Sequence, residues 1–363
     1  MQIAYTNGTI FTGYAVERQK SLLVNNGKIE GIVGEKEIPE QYQVENLKGA
    51  SIAPGLIDLQ IYGGNGRMFS QQTDTESLRA TYEYCLTGGC AHFMITMATN
   101  SIERFLEGIE QVKRYWNEGG KGLLGLHLEG PYINPAKRGA HIERYIKKPS
   151  EQEIKMLLER GQDVFKMMTI APECCEPALV DLLQQNGVLV SAGHTNASYS
   201  EALKGFEKIP VATHLFNAMS PLQHRAPGMV GALFNHPTAK SSVVCDGIHA
   251  DFAAVRIAKK IMGDRLFYIT DAVTECAKGE YPHVFKGDHY TLPDGTLSGS
   301  ALTMMQCVRN GVKHLGISLE ESLRMASTYP ASLLKDRKLG VLEKGAEASM
   351  IVFNEELGII KVI

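Results

Sequence analysis

The sequence predicts an α/β protein: a (β/α)8, TIM-like barrel with a small discontinuous β-sandwich domain built from both chain ends. Three observations predict it. Eight short apolar runs alternate with amphipathic helical runs through the middle of the 363 residues, the pattern of repeated βα units. Many of the 36 glycines follow those apolar runs directly, where a strand must end in a tight turn. Both ends of the chain carry a β-like pattern instead of this alternation. A barrel of roughly 250 residues plus a small second domain accounts for the length.

The elements follow in order. Residues 1–50 read as short strands with Asn-Gly turns at Asn7-Gly8 and Asn26-Gly27, a strong local hairpin signal. Residues 51–336 hold the barrel. Its strands are expected at 52–61, 92–98, 123–128, 164–170, 188–192, 211–215, 241–245 and 266–270, with helices at 76–86, 102–116, 177–185, 199–206 and 252–262 between most of them. Residues 300–315 and 319–334 read as two further helices that close the barrel. Residues 337–363, punctuated by Gly340 and Gly345, return to a β pattern and are expected to pair with the first 50. An open doubly wound sheet is the competing architecture, but it normally carries a glycine-rich phosphate fingerprint after its first strand. Here GGNG at 63–66 matches neither GxGxxG nor the phosphate-loop pattern.

Composition excludes several function classes. Thirty-seven basic and 40 acidic side chains leave a net charge of −3, so no global field draws in nucleic acid or an anionic membrane. No stretch reaches the roughly 20 apolar residues of a membrane span, and the first residues lack a signal-peptide pattern. The seven cysteines are odd in number and without CxxC spacing, so reduced thiols in a cytoplasmic protein are expected.

Barrel enzymes carry their chemistry at the carboxyl ends of different strands. Four residues that suit one site sit there: Glu129, His194, His214 and Asp271. A carboxylate and two imidazoles with an open fourth position form a hydrolytic site for one divalent metal. Zinc is the first choice, although such a site also accepts iron, cobalt or manganese. Asp271 is then left as the general base.

The strings PGLIDLQIYG (54–63), HLEGPYINPAKRGAH (127–141), SAGHTNAS (191–198), THLFNAMSP (213–221), CDGIHAD (245–251), YITDAV (268–273) and LSGSALTM (297–304) resemble the N-acetylglucosamine-6-phosphate deacetylases of the amidohydrolase superfamily. The resemblance implies hydrolysis of a phosphorylated N-acetyl amino sugar to the free amine and acetate. It places the metal ligands on Glu129, His194 and His214, the catalytic aspartate on Asp271, and His141 beside the acetamide. Contacts to sugar and phosphate fall on Ala140, Asn217, Ala218, Arg225, His249 and Leu302. It also implies a homodimer in which Arg225 can serve either its own site or the neighbouring one.

One departure matters. Many amidohydrolases hold a second metal with His-x-His at the end of the first strand, whereas Gln60-Ile61-Tyr62 stands here. Amide and phenol groups are poor zinc ligands beside imidazole, so one tightly held metal is expected. His127 shares a strand face with Glu129 and is read as a packing or supporting group; His92 is structural, and His224, His236, His283, His289 and His314 are surface residues. Two other readings stay open: a deacetylase for the galactosamine epimer, and a non-catalytic barrel scaffold.

Overall fold

All eight expected barrel strands are present in the computed structural model, which describes residues 1–277, 279–334 and 338–363. They are β1 (Leu56–Ile61), β2 (Cys90–Ala98), β3 (Leu123–Glu129), β4 (Phe165–Ile170), β5 (Leu189–Ala192), β6 (Val211–Ala212), β7 (Lys240–Val244) and β8 (Leu266–Ile269). They lie side by side in chain order, with every pair from β2 to β8 parallel. The sheet closes on itself. Ile61 bridges Ala272 in parallel, the Asp271 amide donates to the Gln60 carbonyl at 3.0 Å, and the Tyr62 amide donates to the Ala272 carbonyl at 3.0 Å. An open doubly wound sheet has no such bonds between its outer strands.

The helices are α1 (Thr75–Thr87), α2 (Ile102–Asn117), α3 (Glu151–Gly161), α4 (Pro177–Gln185), α5 (Tyr199–Phe206), α6 (Gly228–Asn235) and α7 (Phe252–Met262). Their starts are written in the sequence. Ser101, Ser150 and Asp251 cap α2, α3 and α7 through side-chain oxygens, and Ser198 with Glu201 forms a reciprocal capping box on α5. The sequence pattern marks neither α3 nor α6. In α6, GMVGALFN buries every residue from Gly228 to Leu233, so it lacks the one-sided pattern that marks a surface helix.

Two compact units emerge, residues 1–58, 85–92 and 303–363 in one and 59–84 and 93–302 in the other. The first contains the two sheets formed by the chain ends. Four strands order as Lys28–Gly34, Lys20–Asn25, Gln2–Thr6 and Gln43–Asn46; five order as Ile359–Val362, Met350–Phe353, Ser51–Pro54, Thr9–Phe11 and Val16–Glu17. Met350–Phe353 pairs antiparallel with Ser51–Pro54, so the two ends do join. Tyr5, Leu22, Val24 and Ile29 from one sheet pack with Ile10, Ile52, Met350 and Val352 from the other. The expected limit between residues 336 and 337 lies outside the described residues.

Four expectations need correction. The run at 52–61 is not one strand: it breaks at Gly55, where a Cβ would lie 2.6 Å from Ser349 Oγ and 2.7 Å from Ala91 Cβ. Asn26-Gly27, with φ of 47° and 75°, does turn a hairpin, but Asn7-Gly8 instead passes the chain from the four-stranded to the five-stranded sheet. The helix expected from residue 300 begins at Met304. Before it comes a three-stranded antiparallel insert, Val284–Phe285, His289–Thr291 and Leu297–Ser300. His283 precedes this insert and is buried, not a surface residue.

Inside the second unit a band of polar side chains crosses the barrel. His127 bonds Thr169 Oγ1 at 2.7 Å, Thr169 bonds Thr213 at 2.8 Å, and Thr213 bonds Ser191 at 2.6 Å. With its other nitrogen 3.2 Å from the Leu59 carbonyl, His127 is a satisfied interior group, as buried polar atoms must be. Among the described residues, no helix is long and apolar enough to cross a membrane.

Candidate metal centre and active site

Glu129 is the last residue of β3, and His194, His214 and Asp271 each stand two residues beyond β5, β6 and β8. All three of the latter have left-handed backbone, with φ of 48°, 39° and 55°. Such a conformation costs a non-glycine residue on the order of 1–3 kcal/mol and persists only where its surroundings hold it. Here they do. The His214 amide donates to Ser242 Oγ at 2.8 Å, the Asp271 amide is tied to Gln60, and the His194 carbonyl accepts from Asn134 N at 2.9 Å. The strained turns aim four side chains from separate strands at one place.

Their atoms converge closely. His214 Nε2 lies 3.0 Å from Glu129 Oε1 and 3.1 Å from His194 Nε2, which is 3.3 Å from the same carboxylate oxygen. Donor atoms about 2.0–2.1 Å from a tetrahedral zinc stand roughly 3.4 Å from one another, so the trio has the spacing of a ligand set. The far side of each ring agrees. His194 Nδ1 is 2.9 Å from the Lys137 carbonyl and His214 Nδ1 is 3.1 Å from the Asn217 carbonyl. Each carbonyl takes the ring proton and turns the Nε2 lone pair inward, as the supporting groups of metal-binding histidines do. These residues fit a divalent cation. His141 stands beside the same carboxylate, with Nε2 3.2 Å from Glu129 Oε2. Glu129, His141 and His194 form a looser group whose ligand atoms lie within 4.8 Å of one another.

Gln60 and Tyr62 occupy the other side of the carboxylates. Gln60 Nε2 contacts Asp271 Oδ1 at 2.7 Å, Glu129 Oε1 at 3.1 Å and the Tyr62 hydroxyl at 3.0 Å, and Tyr62 donates to Glu129 Oε2. Burial raises the Asp271 carboxyl above its ordinary range, the charge of His214 partly offsetting it. For Glu129, burial works in the same upward direction, but with the imidazoles protonated the charge of His194 and bonds from His141, His194 and His214 hold it well below the usual carboxylate range. Burial, then the charges of Glu129 and Asp271, push the Tyr62 hydroxyl far up, so it serves as a donor. Two carboxylates in one pocket thus have opposed proton affinities, the separation that acid–base chemistry uses.

Known proteins resemble this chain over nearly its whole length. The amidohydrolase family profile covers residues 51–363, and that of the NagA composite domain covers residues 3–52. The chain belongs to the amidohydrolase family. This amidohydrolase is 34% identical to the N-acetylglucosamine-6-phosphate deacetylase of Haemophilus influenzae, over 99% of this chain and 97% of that one. It is 30% identical to an N-acetylgalactosamine-6-phosphate deacetylase from a Shewanella species, over 87% of this chain and 82% of the relative. A crystal structure of N-acetylglucosamine-6-phosphate deacetylase from Pasteurella multocida superposes with a TM-score of 0.95 at 32% identity, covering 100% of this chain and 98% of that one. The resemblance read from the motifs holds along the whole chain.

The remaining expected site residues of the amidohydrolase divide. His249 has a buried side chain, its Nδ1 2.6 Å from Asp246 Oδ2. Asn217 and Ala218 follow His214 directly, the Asn217 carbonyl orienting His214 and the Ala218 carbonyl accepting from Thr195 N at 3.0 Å. Ala140 precedes His141 on a half-buried loop. Leu302 is buried, its amide bonded to Ser300 Oγ at 3.0 Å; Ser300 in turn donates its amide to the Asp271 carbonyl. Arg225 is not brought in: residues 221–226 are exposed, and Arg225 forms no ion pair among the described residues. Sequence reasoning treated Gln60 and Tyr62 only as absent ligands and missed their contacts to both carboxylates. Their alternation with Leu59 and Ile61 was the available signal, since it points both to one face.

Proposed function

We propose that this protein hydrolyses the acetamide of N-acetylglucosamine 6-phosphate to glucosamine 6-phosphate and acetate. The reading is carried by the convergence of Glu129, His194 and His214 within 3.3 Å of one another, with Asp271 linked to them through one Gln60 nitrogen. These three residues would hold one divalent cation, with zinc as the first candidate. When bound, such a cation makes water acidic enough to yield hydroxide near neutral pH and polarises a carbonyl.

The chain's own groups do the rest. Asp271 accepts the proton of the attacking water and returns it to the sugar nitrogen, because an amine leaves only when protonated. The C–N bond breaks and the acetyl carbon keeps the water oxygen as acetate. His141 donates to the acetyl oxygen as charge gathers there, a contribution of about 3 kcal/mol where the geometry is good. Ala140, Asn217, Ala218, His249 and Leu302 line the sugar, and Arg225 binds the phosphate through its guanidinium fork.

Because Arg225 lies on an exposed loop, we assign it to the site of a second copy in a homodimer. Exposed Leu222 on the same loop, and Ile257 with Ile261 one turn apart on α7, are apolar groups that a second copy would cover. Residues 51–336 form the catalytic barrel in this reading, with 1–50 and 337–363 as its small β partner. An odd number of cysteines without CxxC spacing supports a cytoplasmic setting. Acetate release measured on both epimers, each with and without phosphate, tests the assignment. The gluco phosphate should be fastest, and a faster galacto phosphate would move the reading to the epimer.

A further inference from the structure

We propose that Thr99 is a positioning residue that holds His141 as its Nε2–H tautomer, making that ring a donor to the acetyl oxygen and keeping it out of the metal's ligand set. The inference rests on the deacetylase reading for its chemistry, but the tautomer itself follows from bonds within the fold. Thr99 immediately follows β2 and is fully buried. Its backbone N–H points at His141 Nδ1 at 3.3 Å, and its hydroxyl oxygen is 2.7 Å from the same nitrogen. An N–H can bond only to a nitrogen that carries no proton. Nδ1 is therefore the acceptor and the ring hydrogen is on Nε2.

The opposite tautomer fails at two places. It would set an Nδ1 hydrogen against the Thr99 amide hydrogen. It would also leave a bare Nε2 facing Glu129 Oε2 at 3.2 Å, lone pair against a carboxylate that, as a metal ligand, carries no proton. The hydroxyl oxygen also lies 3.2 Å from the Glu129 carbonyl, but once the Thr99 amide fixes Nδ1 as bare, the single hydroxyl hydrogen must serve the 2.7 Å contact, because an oxygen lone pair set against a nitrogen lone pair would repel. This contrasts with His194 and His214, whose Nδ1 atoms face carbonyls and whose Nε2 atoms are consequently bare. Three histidines meet one carboxylate, and the atom behind each ring decides whether it binds a cation or donates a hydrogen.

The threonine is itself held. Tyr281 donates its hydroxyl to the Thr99 carbonyl at 2.6 Å and accepts from Ile142 N at 3.3 Å, so it ties Thr99 to the residue after His141. Gly130 leaves room for the hydroxyl: a Cβ there would lie 2.1 Å from Thr99 Oγ1, and its φ of 86° also excludes most side chains.

The test uses the zinc-loaded protein labelled with 15N-histidine, the His141 signals being identified by their loss in His141→Gln. The wild-type spectrum should show a protonated Nε2 and a bare Nδ1; the reverse overturns the proposal without recourse to any other variant. Thr99→Val should lower kcat about 10- to 100-fold with KM and bound zinc unchanged, and Thr99→Ser should restore it. A valine variant that turns over like wild type also overturns the proposal. Absence of acetate release from the wild type would overturn the deacetylase reading instead, leaving the nitrogen spectrum to decide the tautomer by itself.

Discussion

The Nε2 atoms of His194 and His214 lie 3.1 Å apart. Each ring gives its Nδ1 hydrogen to a backbone carbonyl, so two lone pairs face each other beside the Glu129 carboxylate. A shared cation removes the repulsion, and folding energy is then tied to metal binding. Chelation should lower the melting temperature, and zinc at 100 times its Kd should restore about 2.7 kcal/mol. In His214→Ala, calorimetry should show the same melting temperature with and without chelator; a full zinc-dependent shift in that variant would remove His214 from the ligand set.

Asp271 is bonded to Gln60 at 2.7 Å and is absent from the close trio of donors. Asp271→Asn keeps the size and the contact while removing the base. Bound metal should stay at wild-type level while kcat falls about 10²- to 10⁴-fold. Loss of the metal in this variant would make Asp271 a ligand instead.

Arg225 lies on an exposed loop and has no side-chain partner among the described residues. Arg225→Ala should reduce kcat/KM for the 6-phosphate about 10- to 100-fold through KM, the range for losing a charged hydrogen bond. Activity on the unphosphorylated sugar should not change. An equal loss on both substrates would refute the phosphate role.

His283 is buried at the base of the insert and bonded to Ser298 Oγ at 2.9 Å; burial lowers its pKa to about 4. Its unfolded value is near 6.5, so the unfolded chain binds the extra proton first as pH falls. The contribution is whole above pH 6.5, declines below it, and is gone once pH passes 4, a loss on the order of 3 kcal/mol. Denaturant titrations between pH 7 and pH 4 should show a shallower fall in stability for His283→Asn than for wild type. Parallel curves would show that His283 does not carry it.

Much of this molecule was readable before it was folded. Strand ends were legible because Glu129, His194, His214 and Asp271 each interrupt or terminate an apolar run, and a barrel brings such ends together. The break at Gly55 was not, because PGLIDL stays apolar on both sides while the cause is the approach of Ser349 and Ala91, distant in the chain. Nor was the three-stranded insert: its strands of two to four residues are too short to show alternation. Gln60 and Thr99 act through contacts to residues 211 and 42 positions away. Spacing gives the face of a strand but not the atom it meets.

Acetate release from N-acetylglucosamine 6-phosphate, followed as metal-free protein is titrated with zinc, tests the single-cation site and the hydrolysis together. The rise should be linear and stop at one equivalent per chain, because Gln60 and Tyr62, poor zinc ligands, stand against the two carboxylates where a second cation would need imidazoles. A rise continuing to two equivalents would contradict the single-cation site, and no acetate at any zinc level would contradict the function.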